Sequence, residues 1–70
     1  ATGANSNASG NNSAAYGQGA KANSLNSTAI GADSTAGAAN SIAIGTNSLV
    51  SAAALGGIAI GYDSNVTGSN

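Results

Sequence analysis

The sequence predicts an all-β fold, a flattened parallel β-solenoid (β-roll) of about five 14-residue coils, and three observations predict it. Glycine recurs at Gly3, Gly17, Gly31, Gly45 and Gly61, with spacings of 14, 14, 14 and 16 residues. The neighbours of that glycine recur with it, so several columns run through the chain in register. The large apolar residues are too few for a self-sufficient globule. A fixed short period marks one structural unit repeated, each unit too small to fold alone and stabilised by stacking on the next.

The columns assign the parts of one coil. Two residues before the glycine stand Ala1, Ala15, Ala29, Ala43 and Ala59, and one before it Thr2, Tyr16, Ile30, Ile44 and Ile60. Residues 27–31 and 41–45 therefore read as strands, with Ile42 and Ile44 on one face and Ser41, Ala43 and Gly45 on the other. Residues 48–52 read as the second strand of a coil. Two residues after the glycine come Asn5, Gly19, Asp33, Asn47 and Asp63, the types that best tolerate left-handed backbone in tight turns. Two strands of about five residues and two turns of about two complete the period. A helical repeat needs longer units and better helix formers. Between Gly45 and Gly61 two additional residues fall around 53–57, where a bulged loop at a coil edge is expected.

Composition explains why the coils must pack on something. The 70 residues include 17 Ala, 11 Gly, 11 Ser and 10 Asn, against five Ile, three Leu, two Val and two Tyr. Small chains otherwise rely on disulfides, metals or oligomerisation, and the sequence has no Cys or His, with Lys21, Asp33 and Asp63 as its charged side chains. The Ala, Ser and Gly face lets two sheets approach closely. The opposite face carries Ile30, Ile42, Ile44, Ile58 and Ile60, a ladder larger than monomers usually expose. These five residues are expected in a core formed with copies of the same chain.

The same inventory excludes most chemistries. A nucleic-acid surface needs clustered cations, and there is one Lys. No apolar run is long enough to span a membrane, so no membrane contact is expected of these residues. General acid–base or nucleophilic catalysis needs a positioned base; Ser is plentiful without one, and the chain is expected not to be an enzyme. Two carboxylates fall short of a calcium site, and no metal or cofactor is expected. Glycosylation sequons at Asn7, Asn11, Asn26 and Asn65 are expected by chance in so Asn- and Ser-rich a chain.

The segment Asn40-Ser41-Ile42-Ala43-Ile44-Gly45-Thr46-Asn47-Ser48 resembles the N-S-V-A-I-G-x-x-S head repeat of trimeric autotransporter adhesins, the YadA-like surface proteins of Gram-negative bacteria. Asn26-Ser27-Thr28-Ala29-Ile30-Gly31-Ala32-Asp33-Ser34 matches with Thr28 in the Val position. Gly56-Gly57-Ile58-Ala59-Ile60-Gly61-Tyr62-Asp63-Ser64 matches with Gly-Gly replacing Asn-Ser, and residues 12–20 and 2–6 are eroded or truncated copies.

The resemblance implies that residues 1–70 are a YadA-like head repeat region, a fragment of a longer protein. It implies a left-handed roll, three chains around a threefold axis as a homotrimer, and a head at the bacterial cell surface, anchored in the outer membrane through a C-terminal region. It also implies attachment to host extracellular matrix proteins of the collagen, fibronectin or laminin class, or to host cells, and autoaggregation. Carried onto the matching positions, Asn26, Ser27, Asn40, Ser41 and Ser48 become candidate ligand contacts; the alternative is that they make turns and Asn or Ser ladders. Tyr62, following its Gly, adds a candidate exposed contact. The competing function is a structural spacer or self-association module without a ligand site of its own.

Overall fold

The structure, a computed structural model, describes residues 1–68. Each coil is set by two corners, and each corner by one residue in left-handed backbone. Asn5, Asp33, Asn47 and Asp63 hold φ between 58° and 62°, with Gly19 at 72°. Seven residues away, Asn12, Asn26 and Asn40 hold φ of 57–58°, with Gly56 at 72°. Asn, Asp and Gly are the residues that enter this region at least cost, which is why their columns recur. A serine closes every corner except those ending in Ala20 and Gly57: Ser34 Oγ donates to the Gly31 carbonyl at 2.9 Å and Ser27 Oγ to the Ser24 carbonyl at 2.7 Å.

Between corners the backbone extends just long enough for short strands. Nine form among the described residues: β1 (Asn7–Ala8), β2 (Ala14–Tyr16), β3 (Lys21–Ala22), β4 (Thr28–Ile30), β5 (Thr35–Ala36), β6 (Ile42–Ile44), β7 (Leu49–Val50), β8 (Ile58–Ile60) and β9 (Asn65–Val66). They are three and two residues long rather than about five, because the four-residue corners take more of the period than two-residue turns would. All pairings are parallel, giving a five-stranded sheet in the order β1-β3-β5-β7-β9 and a four-stranded sheet in the order β2-β4-β6-β8. The result is an all-β parallel solenoid of about four turns. The expected fifth coil is incomplete: at its place Thr2 makes a single bridge to Tyr16.

The register follows the 14-residue columns throughout. Ala29 pairs with Ala15 and Ala43, and Ala43 with Ala59. Two extra residues leave this register intact. Gly56 N–H donates to the Ala39 carbonyl at 3.0 Å, as Asn40 N–H donates to the Leu25 carbonyl at 2.8 Å one coil earlier. The corner at 54–57 is thus equivalent to that at 38–41. The insertion is accommodated just before it, at Ala52 and Ala53, in a turn closed by Ala54 N–H on the Ser51 carbonyl at 3.0 Å.

The interior is narrow and made of small side chains. Ala15, Ala29, Ala43 and Ala59 from one sheet face Ala22, Ala36 and Val50 from the other, all buried. Val50 is the largest fully buried side chain. It fits because Gly57 replaces the serine found at the equivalent corner position in other coils: a Cβ on Gly57 would lie 3.0 Å from a Val66 methyl and 3.1 Å from a Val50 methyl. The loss of one small side chain is matched by the gain of methyl groups opposite. Every buried side-chain nitrogen and oxygen among the described residues has a hydrogen-bond partner, as the cost of burying an unpaired polar group requires.

The glycine column stacks more tightly than any other residue would allow. Gly3, Gly17, Gly31, Gly45 and Gly61 hold φ of 118–124°. A Cβ on Gly31 would stand 2.8 Å from the carbonyl carbon and oxygen of Gly45. Adjacent coils touch backbone to backbone at this corner.

Candidate functional site

Two outer faces and two edges are what this slab, 30 × 25 × 12 Å, offers to anything outside it. No cavity forms among the described residues, and no group of three or more His, Cys, Asp or Glu side chains comes together among them. Contact must therefore be made on the surfaces.

Strand alternation decides what each outer face carries. On the four-stranded sheet one outward column runs Tyr16, Ile30, Ile44, Ile60 and the other Ala14, Thr28, Ile42, Ile58. Ile58 and Ile60 are 58% and 65% exposed, and Ile30 and Tyr16 are also exposed. On the five-stranded sheet the outward column is Asn7, Lys21, Thr35, Leu49, Asn65. One face is an aliphatic ladder and the other a polar one. Beside the polar column Ser9 Oγ donates to Asn23 Oδ1 at 3.2 Å and Ser51 Oγ to the Thr67 carbonyl at 3.1 Å.

The edges differ as well. At the edge where the five-stranded sheet passes to the four-stranded one, Leu25, Ala39 and Leu55 occupy successive coils, followed by Asn26, Asn40 and Gly56. At the other edge Gln18, Ala32, Thr46 and Tyr62 are followed by Gly19, Asp33, Asn47 and Asp63, so both carboxylates lie there.

The candidate residues named from sequence fall in three separate places. Asn26 and Asn40 are exposed and stacked at the first edge, where Asn26 Nδ2 donates to Asn40 Oδ1 at 3.1 Å. Tyr62 is 73% exposed at the opposite edge. Ser27, Ser41 and Ser48 are interior, each 0% exposed, and this corrects their reading as ligand contacts. Their hydroxyls donate inside the roll to the carbonyls of Ser24, Ala38 and Gly45. The physical reason is their size and place in the alternation. They stand on the inward side with the buried alanines, and only a small side chain that can satisfy a corner carbonyl fits there. Ile30, Ile42, Ile44, Ile58 and Ile60 all stand on the outer face of the four-stranded sheet and lie outside the roll's own core.

What sequence reasoning missed is the exposed pair Leu25 and Leu55, at 48% and 60%. The signal was available: both occupy the second residue of the same corner two coils apart.

The model of the YadA head domain repeat matches the chain in two copies, at residues 22–48 and 52–70. The chain belongs to this family. The head repeats place the protein among the trimeric autotransporter adhesins and carry an adhesin-type role at the cell surface. Neither a curated protein nor a solved structure gives a significant match to the chain.

Proposed function

We propose that the chain is part of a homotrimeric adhesin head, displayed at the bacterial cell surface and held in the outer membrane through another part of the parent protein. Three copies bury the aliphatic face of the four-stranded sheet against one another and turn the polar face of the five-stranded sheet outward. The observation that supports this reading is the contrast between the two faces. One ladder carries Ile30, Ile42, Ile44, Ile58 and Ile60, and the other Asn7, Lys21, Thr35 and Asn65 with one apolar member, Leu49. A contiguous apolar face of this kind marks an interaction site, and a face without a charge suits a second copy of itself.

The outward polar ladder, repeated on three chains, offers host extracellular matrix of the collagen, fibronectin or laminin class, host cells, or another head an array of weak contacts that gain strength together. Asn26, Asn40 and Tyr62 are the accessible members of the proposed contact set. The test is solid-phase binding of the purified 70-residue trimer to each matrix protein. Saturable binding weakened by substituting Tyr62, which stands on the edge away from Leu25 and Leu55, supports the reading, and absence of binding to all of them, with no self-association, removes it.

A second reading is favoured by the burial of Ser27, Ser41 and Ser48. With these motif residues committed to corner hydrogen bonds, the repeat serves as a rigid spacer that sets the distance of another binding domain from the cell. The same assay separates the two readings, since a spacer trimerises without binding.

A further inference from the structure

We propose that the corner carrying Leu25 and Leu55 is the second half of the subunit interface, packing coil for coil on the outer face of the next chain's four-stranded sheet. This rests on the trimeric reading above and goes further by naming the surface that meets the aliphatic ladder. A ring of three identical chains is built from heterologous contacts, in which one patch on each subunit meets a different patch on its neighbour. The Ile ladder is one patch. A flat slab whose wide face lies toward a threefold axis reaches its neighbour's face with one of its two edges, and the edges of this slab are chemically unlike.

The edge with Gln18, Thr46 and Tyr62 also carries Asp33 and Asp63, both exposed. Setting those carboxylates on an isoleucine surface would strip them of water with no cation to replace it. Lys21, the chain's one cation, stands on the outer face of the opposite sheet. The other edge carries no charge at all. Its exposed side chains are Leu25 and Leu55 with Asn11, Asn12, Asn26 and Asn40, and the Asn26 amide is already engaged with Asn40.

Level matching adds an independent constraint. Rotation about an axis parallel to the coil stack keeps each residue at its own height, so an edge residue meets the same coil of its neighbour. Leu55 shares its coil with Ile58 and Ile60, which stand on β8, the last strand of the four-stranded sheet. Leu25, 48% exposed, shares its coil with Ile30. Where the edge has its small residue, Ala39, the facing Ile42 and Ile44 are only partly exposed. The aliphatic match holds at the levels of Leu25 and Leu55; in the coil before Leu25 the face carries Tyr16, 50% exposed, and the edge Asn11.

Oxidative cross-linking of the 70-residue chain tests this. A chain with both Leu55→Cys and Ile60→Cys cannot close a bond within itself: Ile60 lies two strand residues beyond Ile58, roughly 7 Å further from the corner, and a disulfide needs Cα atoms within about 6.8 Å. The expected result is a covalent trimer on a non-reducing gel, and L55C chains mixed with I60C chains should give a mixed dimer. The comparison pair, Tyr62→Cys with Ile58→Cys, separated by the length of β8 and so also unable to close within one chain, should give no covalent trimer. A covalent trimer from the Tyr62 pair with none from the Leu55 pair assigns the opposite edge and overturns the proposal. Sedimentation of the same samples separates the two levels of the argument. A trimer without the Leu55 cross-link overturns this inference alone, and a monomer overturns the trimeric reading together with it.

Discussion

Gly31→Ala probes the closest contact in the fold. Gly31 holds φ at +121°, and a methyl group there would lie 2.8 Å from the Gly45 carbonyl carbon and oxygen. Two costs add. Holding an L-residue in this backbone region costs about 1–3 kcal/mol, and forcing a methyl against fixed backbone costs about 1–3 kcal/mol more as an overpacked contact. A natural domain is stable by roughly 0.05–0.15 kcal/mol per residue, or on the order of 4–10 kcal/mol for a chain of this length. The substitution should therefore remove a large part of the stability of each chain.

Gly61→Ala is the internal control. Its φ is +123°, yet a Cβ there meets nothing within 4 Å, so only the backbone cost applies. Urea unfolding followed by far-ultraviolet circular dichroism on the two variants and the parent should place Gly31→Ala below Gly61→Ala by about 1–3 kcal/mol. Equal losses in the two variants would refute the claim that adjacent coils touch through the glycine column.

Three further substitutions follow from the same geometry. Ser41→Ala removes the hydroxyl that closes the corner onto the Ala38 carbonyl inside the roll; a loss of about 1 kcal/mol is expected, read from the same urea curves. Gly56→Asn extends the Asn26–Asn40 ladder into a position with φ +72° and open space around the new Cβ. Because Asn enters left-handed backbone at less cost than other side chains, this variant should lose less stability than Gly61→Ala in the same urea curves, and an equal or larger loss would count against the ladder. Ile44→Asp places a charge on the ladder proposed to be buried between chains, where an unpaired charge is costly. Sedimentation should show the trimer lost in that variant and retained in Thr35→Asp, which lies on the opposite sheet's outer face.

Much of this was legible in the sequence because a repeat states its register openly. The columns ending in Ala29-Ile30-Gly31 and Ala43-Ile44-Gly45 place strand, face and corner at once, and the structure pairs those residues one to one. The left-handed corners at Asp33 and Asn47 were readable because few residue types accept that backbone. The short strands were less legible, since nothing in a run such as Ser48-Leu49-Val50-Ser51 marks where extension stops; the corner hydrogen bonds decide it.

The serines show where two signals pulled apart. Alternation along 41–45 puts Ser41 on the same side as Ala43, which is the interior, whereas the family motif draws attention to Ser41 as a polar contact. In a core as narrow as this one, alanine and serine are interchangeable in volume, and polarity alone does not distinguish a surface serine from a corner-closing one. Leu25 and Leu55 were hidden for the opposite reason. Their column also contains Asn11 and Ala39, so it reads as unpatterned until the coils are stacked.

Sedimentation equilibrium on the 70-residue chain, with circular dichroism on the same sample, bears most directly on the central claim that the isoleucine face is completed by other copies of the chain. The account predicts a strand spectrum at three times the 6.4 kDa chain mass. A folded monomer with the same spectrum would contradict it, because the narrow alanine and serine interior would then be sufficient alone.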